Sequence, residues 1–505
     1  MTGRRFWLVV IVTVGLHLPL FARPFYNADE AIYSGVASRL VSGETLYTGA
    51  VDHKPPAIYL TYAAVFRVFG RNAIHAVHVV CVLWVLATAL LVGVIARRRA
   101  GEPAGTVAAL LYGAYTMASI PKWFLAANSE LFVMLPATAG VLVALARPAS
   151  ALACAWAGAL VSLGALYKIQ GVFALLPIAY AIVCDREAAW PAPYRVVSAL
   201  PRLGALAVGA LVPVALSALW LHRAGALEAA RFWALAYASH YAVSIDLVDA
   251  LGRLAARGGF FCYTLPWLPI GAVVEARHLR GQGDRDGVAL FVWLGAGALA
   301  VSLGGRFYQH YFLQILPPLC ALAAPPLVRG FRAATGPARL ALAILAGAPP
   351  VAFFVFSPWN DWYLSIDPKE PRAYEAVAAH LRTHTPRDAR VFVWGNTPEI
   401  YLLSDRVPAT RFLFTNYQTG KMWGTPANED DAPATLRAPF VVPESWTLLL
   451  EDLARTPPDV IVDAAAGGLH RFRGLGMPTY PALARVLDRY RLDATVEGVP
   501  IYVRR

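Results

Sequence analysis

Long apolar runs separated by short polar stretches dominate roughly the first 357 residues of the chain. A run of about 17–25 apolar residues is long enough to cross a bilayer as an α-helix. Eleven runs are candidates, and some of them are short for a full span. They cover roughly residues 6–21, 73–96, 105–120, 131–145, 151–166, 171–184, 203–221, 259–274, 288–303, 312–328 and 338–356. The pattern predicts an α-helical integral membrane protein with about 11 transmembrane helices in a membrane domain spanning 1–357.

The pattern changes after this region. Residues 358–505 hold 18 of the 32 acidic residues and contain no run long enough to span a membrane. Short apolar segments alternate here with turn residues, which is typical of a small α/β domain. The predicted elements are strands at 390–394 and 459–463, helices at 398–403 and 481–490, and a closing hairpin at 494–504.

Composition and charge narrow the class of protein. Hydrophobic residues make up 58% of the chain and charged residues 15%, which excludes a disordered chain and a purely soluble enzyme. The net charge of +12 comes from arginines between apolar runs, which is typical of cytoplasmic loops rather than of a nucleic-acid surface. Arg4, Arg5 and the run 97–99 place the N-terminus in the cytoplasm. Eleven crossings then place residues 22–72 (the first outer loop) and the C-terminal domain outside.

The first outer loop carries the densest group of functional side chains. Asp29 and Glu30 follow the first apolar run by only a few residues. Asn27 or Asp29 is suited to cap a helix, and acids are favoured near a helix N-terminus. A positioned carboxylate is also what a general base requires, because it takes or orients the proton of an acceptor hydroxyl. Both interpretations of Asp29 stay open at this point.

Lysine is rare, since 39 of the 44 basic residues are arginine. Three of the five lysines, Lys54, Lys122 and Lys168, fall at predicted outer ends of helices. Lysines at such positions often extend their ammonium groups to the interface, and three instances are few enough to arise by chance. Compact cations on one face would nevertheless suit a phosphate leaving group.

Two further outer segments are polar. Asn128 and Glu130 begin the fourth run, where a helix cap with an acid in the first turn is the favoured interpretation. Arg306 and His310 lie among aromatic residues before the tenth run. They suit either an interfacial aromatic belt or a phosphate cradle.

The C-terminal domain offers weaker candidates. The polar residues Asn396, Glu399, Tyr401 and Asp405 could line an acceptor groove. Scattered polar residues on loops are ordinary, so a simple surface role is the favoured interpretation. The five cysteines form no CxxC motif and no metal-ligand spacing, and they are expected to be small core residues.

The order of these motifs resembles a known family. Asp29-Glu30 is followed by Gly43, Tyr47 and Lys54-Pro55-Pro56, and a late segment reads Gly-Arg-Phe-Tyr-Gln-His-Tyr-Phe-Leu-Gln over 305–314. This arrangement resembles the glycosyltransferase C superfamily, in particular bacterial relatives of protein O-mannosyltransferases and of lipid A aminoarabinose transferases (glycosyltransferase families 39 and 83). The resemblance covers the membrane domain.

The resemblance implies an inverting glycosyltransferase of a bacterial cytoplasmic membrane. Its co-substrate would be a polyprenyl-phosphate sugar, and its acceptor a lipid, glycan or protein outside the cytoplasm. No cofactor is firmly implied; a divalent cation near the catalytic acid is possible, without an evident ligand set. The implied site residues are Asp29 as base or orienting carboxylate, Glu30 as its support, Lys54 on the carrier phosphate, Arg306 and His310 as further phosphate or sugar contacts, and Glu130 as a second acid.

The alternative is a polytopic transporter or flippase for lipid-linked sugars that performs no transfer chemistry. Transporters often contain internal repeats and polar sites at mid-membrane, and the sequence shows neither. Convergence of Asp29, Glu130, Lys54 and Arg306 on one outer cavity would favour the transferase. Dispersal of these side chains would favour the alternative.

Overall fold

The computed structural model describes residues 3–117, 126–185, 195–242, 244–356 and 369–505. Lys122 and the predicted domain boundary at 357/358 lie outside these ranges. The predicted bounds of the two domains therefore stay a prediction.

Helices form almost all of the membrane part, because a helix pairs its own backbone polar groups where no water is available. The helices are α1 (Gly3–Leu16), α2 (Ala28–Val41), α3 (Ala57–Phe69), α4 (Ile74–Tyr115), α5 (Ser129–Ala146), α6 (Ala151–Ala165), α7 (Leu175–Val183), α8 (Arg195–Arg223), α9 (Leu227–Ala230), α10 (Ala238–Ala242), α11 (Leu247–Arg253), α12 (Gly259–Thr264), α13 (Trp267–Leu279), α14 (Arg285–Ser302), α15 (Leu316–Ala333) and α16 (Gly336–Phe356). Short 3₁₀ segments at Leu18–Ala22, Ile169–Ala174 and Gln309–Ile315 and π segments at Arg231–Tyr237 and Leu254–Gly258 adjoin them.

Helix α4 contains a sharp reversal rather than one straight rod. Ala100 and Gly101 have non-helical backbone angles, and Gly101 has a φ of +81°, which glycine adopts readily. Beyond the reversal the two halves pack against each other. A Cβ atom on Gly93 would lie 2.8 Å from the carbonyl oxygen of Gly105, so the close approach requires glycine there.

The number of spans is only partly determined. In the described ranges seven helices are long and apolar enough to cross a membrane, or up to eight if the pair 247–264 and 267–279, bent by 86°, is one span. Shorter apolar helices lie at Ala57–Phe69, Ala151–Ala165 and Ile169–Val183. The structure confirms a polytopic helical protein, whereas the count of eleven and the orientation stay predictions.

The first outer loop folds into α2 and α3, and α2 contacts both the bundle and the C-terminal domain. Asn27 caps α2, since its Oδ1 accepts a hydrogen bond from the Glu30 backbone N–H at 3.1 Å. Helix α2 is buried along most of its length. Gly35 lies so close to Leu413 that a Cβ there would be 2.7 Å from a Leu413 methyl carbon.

The C-terminal part is a small α/β domain, as predicted, and it contains one mixed sheet. Its strands are β1 (Arg390–Trp394), β2 (Val407–Pro408), β3 (Val460–Asp463), β4 (Tyr490–Val496) and β5 (Val499–Arg504), in the spatial order β2-β1-β3-β5-β4. β1 is parallel to β2 and β3, whereas β5 is antiparallel to β3 and β4. Helices α17 (Lys369–His384), α18 (Glu399–Ser404), α19 (Asn416–Thr419), α20 (Ala434–Arg437), α21 (Pro443–Arg455) and α22 (Pro481–Leu487) surround it.

The C-terminal domain is fastened to the first outer loop by backbone and charged contacts. Arg39 Nη1 donates to the Pro408 carbonyl at 2.8 Å, and the Val51 N–H donates to the Arg411 carbonyl at 3.0 Å. Asp405 forms an ion pair with Arg71 at 2.9 Å. This acid was a candidate for an acceptor groove, but its carboxylate holds the two parts of the protein together.

The other candidates in this domain lie inside it. Asn396, Glu399 and Tyr401 are all buried, so the favoured expectation of a surface role is wrong for them. The Tyr401 hydroxyl accepts a hydrogen bond from the Val393 N–H at 2.7 Å, which ties α18 to β1.

The stability of the C-terminal domain is expected to depend on pH because of Glu399. Burial raises the pKa of Glu399 to about 7, although nearby His470 acts to lower it. A raised folded-state pKa gives stability that is complete below the unfolded value and is lost as the pH rises through the folded value. We therefore expect the domain to lose roughly 3 kcal/mol from this group between about pH 4.5 and 7.

Amide hydrogen exchange of β1 in the full-length protein measures this loss. After correction for intrinsic exchange rates, protection in the wild type should fall between pH 5 and pH 8. The glutamine of Glu399→Gln is neutral at every pH, so the protection of β1 should fall less in this variant between pH 5 and pH 8. An identical pH response in both proteins would show that Glu399 does not titrate in this range.

Candidate active site

Two adjoining cavities lie where the first outer loop, the bundle and the C-terminal domain meet. The smaller one, of about 100 Å³, is called the polar cavity. Its lining includes Asn27, Asp29, Asp52, His53, Lys54, Tyr241, Tyr308, His310, Tyr311 and Trp423. The larger one, of about 370 Å³, is called the apolar cavity, and Leu235, Ala238 and Leu303 are among its walls. A molecule with a polar head and a hydrocarbon tail would match this pair of cavities.

Asp29 presents an unused carboxylate to the polar cavity. Asn27 takes the capping role on α2, so the capping interpretation of Asp29 is wrong. Within the described ranges the carboxylate forms no hydrogen bond or ion pair. It lines the polar cavity from the first turn of α2 and is partly exposed there. This is the arrangement that a general base requires before its substrate arrives.

Lys54 is held at its backbone and is free at its ammonium group. The Tyr47 hydroxyl donates to the Lys54 carbonyl at 2.7 Å, and the Lys54 N–H donates to the Tyr59 hydroxyl at 3.1 Å. Pro55 and Pro56 restrict the backbone that follows. The ammonium group pairs with no residue in the part of the chain that the structure describes. It lines both cavities, which places a positive charge at their junction.

Glu30 turns away from the cavities. Its carboxylate accepts hydrogen bonds from the N–H groups of Tyr26 at 2.9 Å and Ala127 at 2.7 Å, and it lies 3.2 Å from His78 Nε2. The side chain is fully buried. Successive residues on a helix differ by about 100° in direction, so Asp29 and Glu30 face different surroundings. This geometry suits Glu30 to hold α2 in place rather than to touch a substrate.

Glu130 forms a buried ion pair with Lys168, and His310 Nε2 lies 3.4 Å from the same carboxylate oxygen. The Lys168 ammonium also lies 3.6 Å from the centroid of the Tyr311 ring. The Asn128 side chain does not cap α5, contrary to the favoured expectation; its Oδ1 accepts from Asn27 Nδ2 at 3.0 Å. Glu130 therefore lies outside the linings of both cavities. It fixes Lys168, which lines the apolar cavity, and His310, which lines the polar one.

Arg306 uses its guanidinium to join the bundle to the C-terminal domain. It donates to the carbonyls of Tyr241 at 2.7 Å and Trp423 at 3.2 Å and to the Ser244 hydroxyl at 2.6 Å. The group also lies over the Tyr241 ring. Arg306 lines only the apolar cavity, and these contacts occupy much of its donor capacity. The expectation that it cradles a phosphate gains no support from this geometry.

The convergence that would favour a transferase is therefore partial. Asp29 and Lys54 share the polar cavity, Lys54 and Arg306 share the apolar one, and Glu130 lies behind both. His310 also lines the polar cavity. In the described ranges no group of three or more His, Cys, Asp or Glu residues is arranged to hold a metal ion.

Sequence reasoning missed the contribution of the C-terminal domain. Trp423 lines the polar cavity, and the Tyr417 hydroxyl lies 3.4 Å from Asp52 in the first outer loop. Tyr417 and Asp52 are 365 residues apart along the chain, so no local pattern could reveal the contact. The aromatic cluster of Tyr417, Trp423 and Phe414 was the only available signal, and aromatic clusters are common in cores.

The chain was compared with protein-family models, curated proteins and solved structures, and only solved structures match it. No protein-family model and no curated protein matches the chain. Among solved structures, ArnT from Cupriavidus metallidurans bound to undecaprenyl phosphate has a TM-score of 0.60 and 16% identity over 99% of this chain and 98% of its own. The archaeal oligosaccharyltransferase AglB from Archaeoglobus fulgidus, in complex with an inhibitory peptide and a dolichol-phosphate, has a TM-score of 0.50 and 13% identity over 100% of this chain and 75% of its own.

The chain has the GT-C fold. The resemblance drawn from the motifs of the first outer loop is confirmed at the level of architecture. At 13–16% identity the comparison shows the fold alone. The chemistry must therefore be argued from the cavities of this GT-C protein.

Proposed function

We propose that this GT-C protein transfers a single sugar, a hexose or pentose, from a polyprenyl-phosphate carrier to an acceptor hydroxyl, with inversion at the anomeric carbon. One observation carries the proposal: the Asp29 carboxylate and the Lys54 ammonium, both unpaired in the described ranges, face one polar cavity that adjoins an apolar one. Undecaprenyl phosphate in ArnT and dolichol-phosphate in AglB belong to the same chemical class as the proposed carrier.

The two cavities divide the donor between them. The polyprenyl chain lies in the apolar cavity, the phosphate lies at the junction beside Lys54, and the sugar lies in the polar cavity. Aromatic rings of Tyr308, Tyr311 and Trp423 supply flat walls for the sugar ring. The acceptor approaches from the membrane surface beneath the C-terminal domain.

The reaction requires one base and no acid. The acceptor oxygen attacks the anomeric carbon as the bond from that carbon to the phosphate oxygen breaks, and attack from the opposite face inverts the centre. Asp29 orients the hydroxyl and takes its proton. The phosphate leaves with the bonding electron pair as a stable anion, and Lys54 stabilises its charge. Positioning of the two substrates supplies much of the rate enhancement.

The remaining predicted residues act through others. Glu30 keeps α2, and with it Asp29, in position. Glu130 holds Lys168 and His310 in the cavity walls. Arg306 fixes the wall that Tyr241 and Trp423 form. His310 is the member of this group that touches the sugar.

Replacing Lys54 with alanine tests the phosphate contact. A hydrogen bond to a charged group contributes about 1.5–3 kcal/mol, so Lys54→Ala should raise KM for the donor about 10- to 100-fold. The measurement is transfer of label from a panel of radiolabelled polyprenyl-phosphate sugars in membranes. Arg231→Ala removes an exposed cation whose partner is Glu228 and serves as the matched control.

The outcomes separate the proposal from its alternative. Unchanged KM in Lys54→Ala would remove this lysine from the donor site. Consumption of no donor by the wild type would count against transfer and favour the transport function. Label that reaches an acceptor or water would establish the reaction class and identify the sugar.

A further inference from the structure

His53 lies at the junction of the two cavities. Only four side chains line both cavities in the described ranges, and they are His53, Lys54, Tyr241 and Tyr311. In a lipid-phosphate sugar the phosphate is the link between the tail and the sugar. A carrier that occupies both cavities must therefore place its phosphate among these four side chains.

The imidazole of His53 is fixed by a buried carboxylate. Its Nδ1 lies 2.9 Å from Asp52 Oδ1 and 3.2 Å from the Tyr417 hydroxyl. Asp52 is held in turn by the Tyr59 hydroxyl at 2.5 Å. Burial acts to raise the pKa of Asp52, but the charges of His53 and Lys54 outweigh it and lower the pKa to about 2. Asp52 thus stays ionised and holds the His53 ring from one side.

The second ring nitrogen remains for a ligand. An ionised carboxylate only accepts hydrogen bonds, so Nδ1 carries a hydrogen and Nε2 is the free position. Nε2 has no partner in the part of the chain that the structure describes. The ring is packed at 5.4 Å from Tyr241 and 6.2 Å from Trp423, between ring centroids, which restricts its orientation. A protonated Nε2 would donate to an anion at the junction.

We propose that His53, with its ring held by Asp52, is a second ligand of the carrier phosphate beside Lys54. The inference rests on the proposed function and adds a second phosphate contact to it. The C-terminal domain takes part, because Tyr417 and Trp423 help to fix the ring.

Equilibrium binding of undecaprenyl phosphate to the full-length protein in nanodiscs tests the role of His53. His53→Gln should bind about tenfold more weakly than the wild type. His240→Asn, at an exposed histidine, is the matched control.

A permanent cation gives a second variant. His53→Arg should bind about as tightly as the wild type. If His53→Gln fails to fold, His53→Asn takes its place. Affinity equal to the wild type in the neutral variant, with binding weakened in Lys54→Ala, would overturn the role of His53 and leave the proposed function standing. No binding by the wild type would overturn both.

Discussion

Replacing Asp29 with asparagine should lower kcat for sugar transfer by about 10²- to 10⁴-fold, the usual contribution of a general base. The amide cannot take the proton of the acceptor hydroxyl. KM for the donor should change little, because Lys54 and the apolar cavity hold the carrier. The fold should persist, since the Asp29 carboxylate has no protein partner in the described ranges. Label transfer from a polyprenyl-phosphate sugar to an acceptor or to water measures the loss.

Two comparisons sharpen this experiment. Asp249→Asn removes an exposed acid on α11 whose partner is Arg253, and turnover should be unchanged. Glu30→Gln disturbs the buried contacts with Ala127 and His78, so it should lower thermal stability as well as activity. Full turnover in Asp29→Asn would remove Asp29 from the chemistry.

Much of the fold could be predicted from the sequence, because a helix that crosses a bilayer needs an apolar run of a certain length. Each apolar run overlaps a helix, and strand β1 has the predicted bounds. The number of spans was less accessible. The two halves of α4, which reverse at Gly101, match two separately predicted runs, but an 86° bend divides the helical region before Trp267. Such breaks depend on packing between helices rather than on local hydropathy.

The site was predictable where one loop supplies it. Asp29 and Lys54 both come from the first outer loop, and both face the polar cavity. Neighbouring acids were not separable in sequence, since the direction of Glu30 depends on the cap at Asn27 together with its contacts to Ala127 and His78. Arg306 was not assignable either, because its acceptors on Tyr241 and Trp423 lie 65 and 117 residues away.

The largest effect on stability is expected when the ion pair between Glu130 and Lys168 is broken. Both side chains are buried, with exposures of 1% and 6%. Removal of one partner leaves an uncompensated buried charge, which costs about 3–5 kcal/mol. Glu130→Gln should therefore destabilise the protein by about this amount. Glu130→Gln with Lys168→Gln should recover most of the stability, since neither charge is then left alone.

Thiol exposure on heating reports this stability. Cys81 and Cys320 are free and buried, so a thiol-reactive dye labels them only on unfolding. Cys262 is exposed and Cys184 is partly exposed, so both should be replaced by serine in every protein compared. The double variant should nevertheless remain poor in transfer, because Lys168 no longer packs on Tyr311 and His310 loses its carboxylate. If the two replacements destabilise the protein additively, Glu130 and Lys168 do not act as a coupled ion pair. If the double variant recovers stability but not transfer, the ion pair contributes to the fold and, separately, to the shape of the cavity walls.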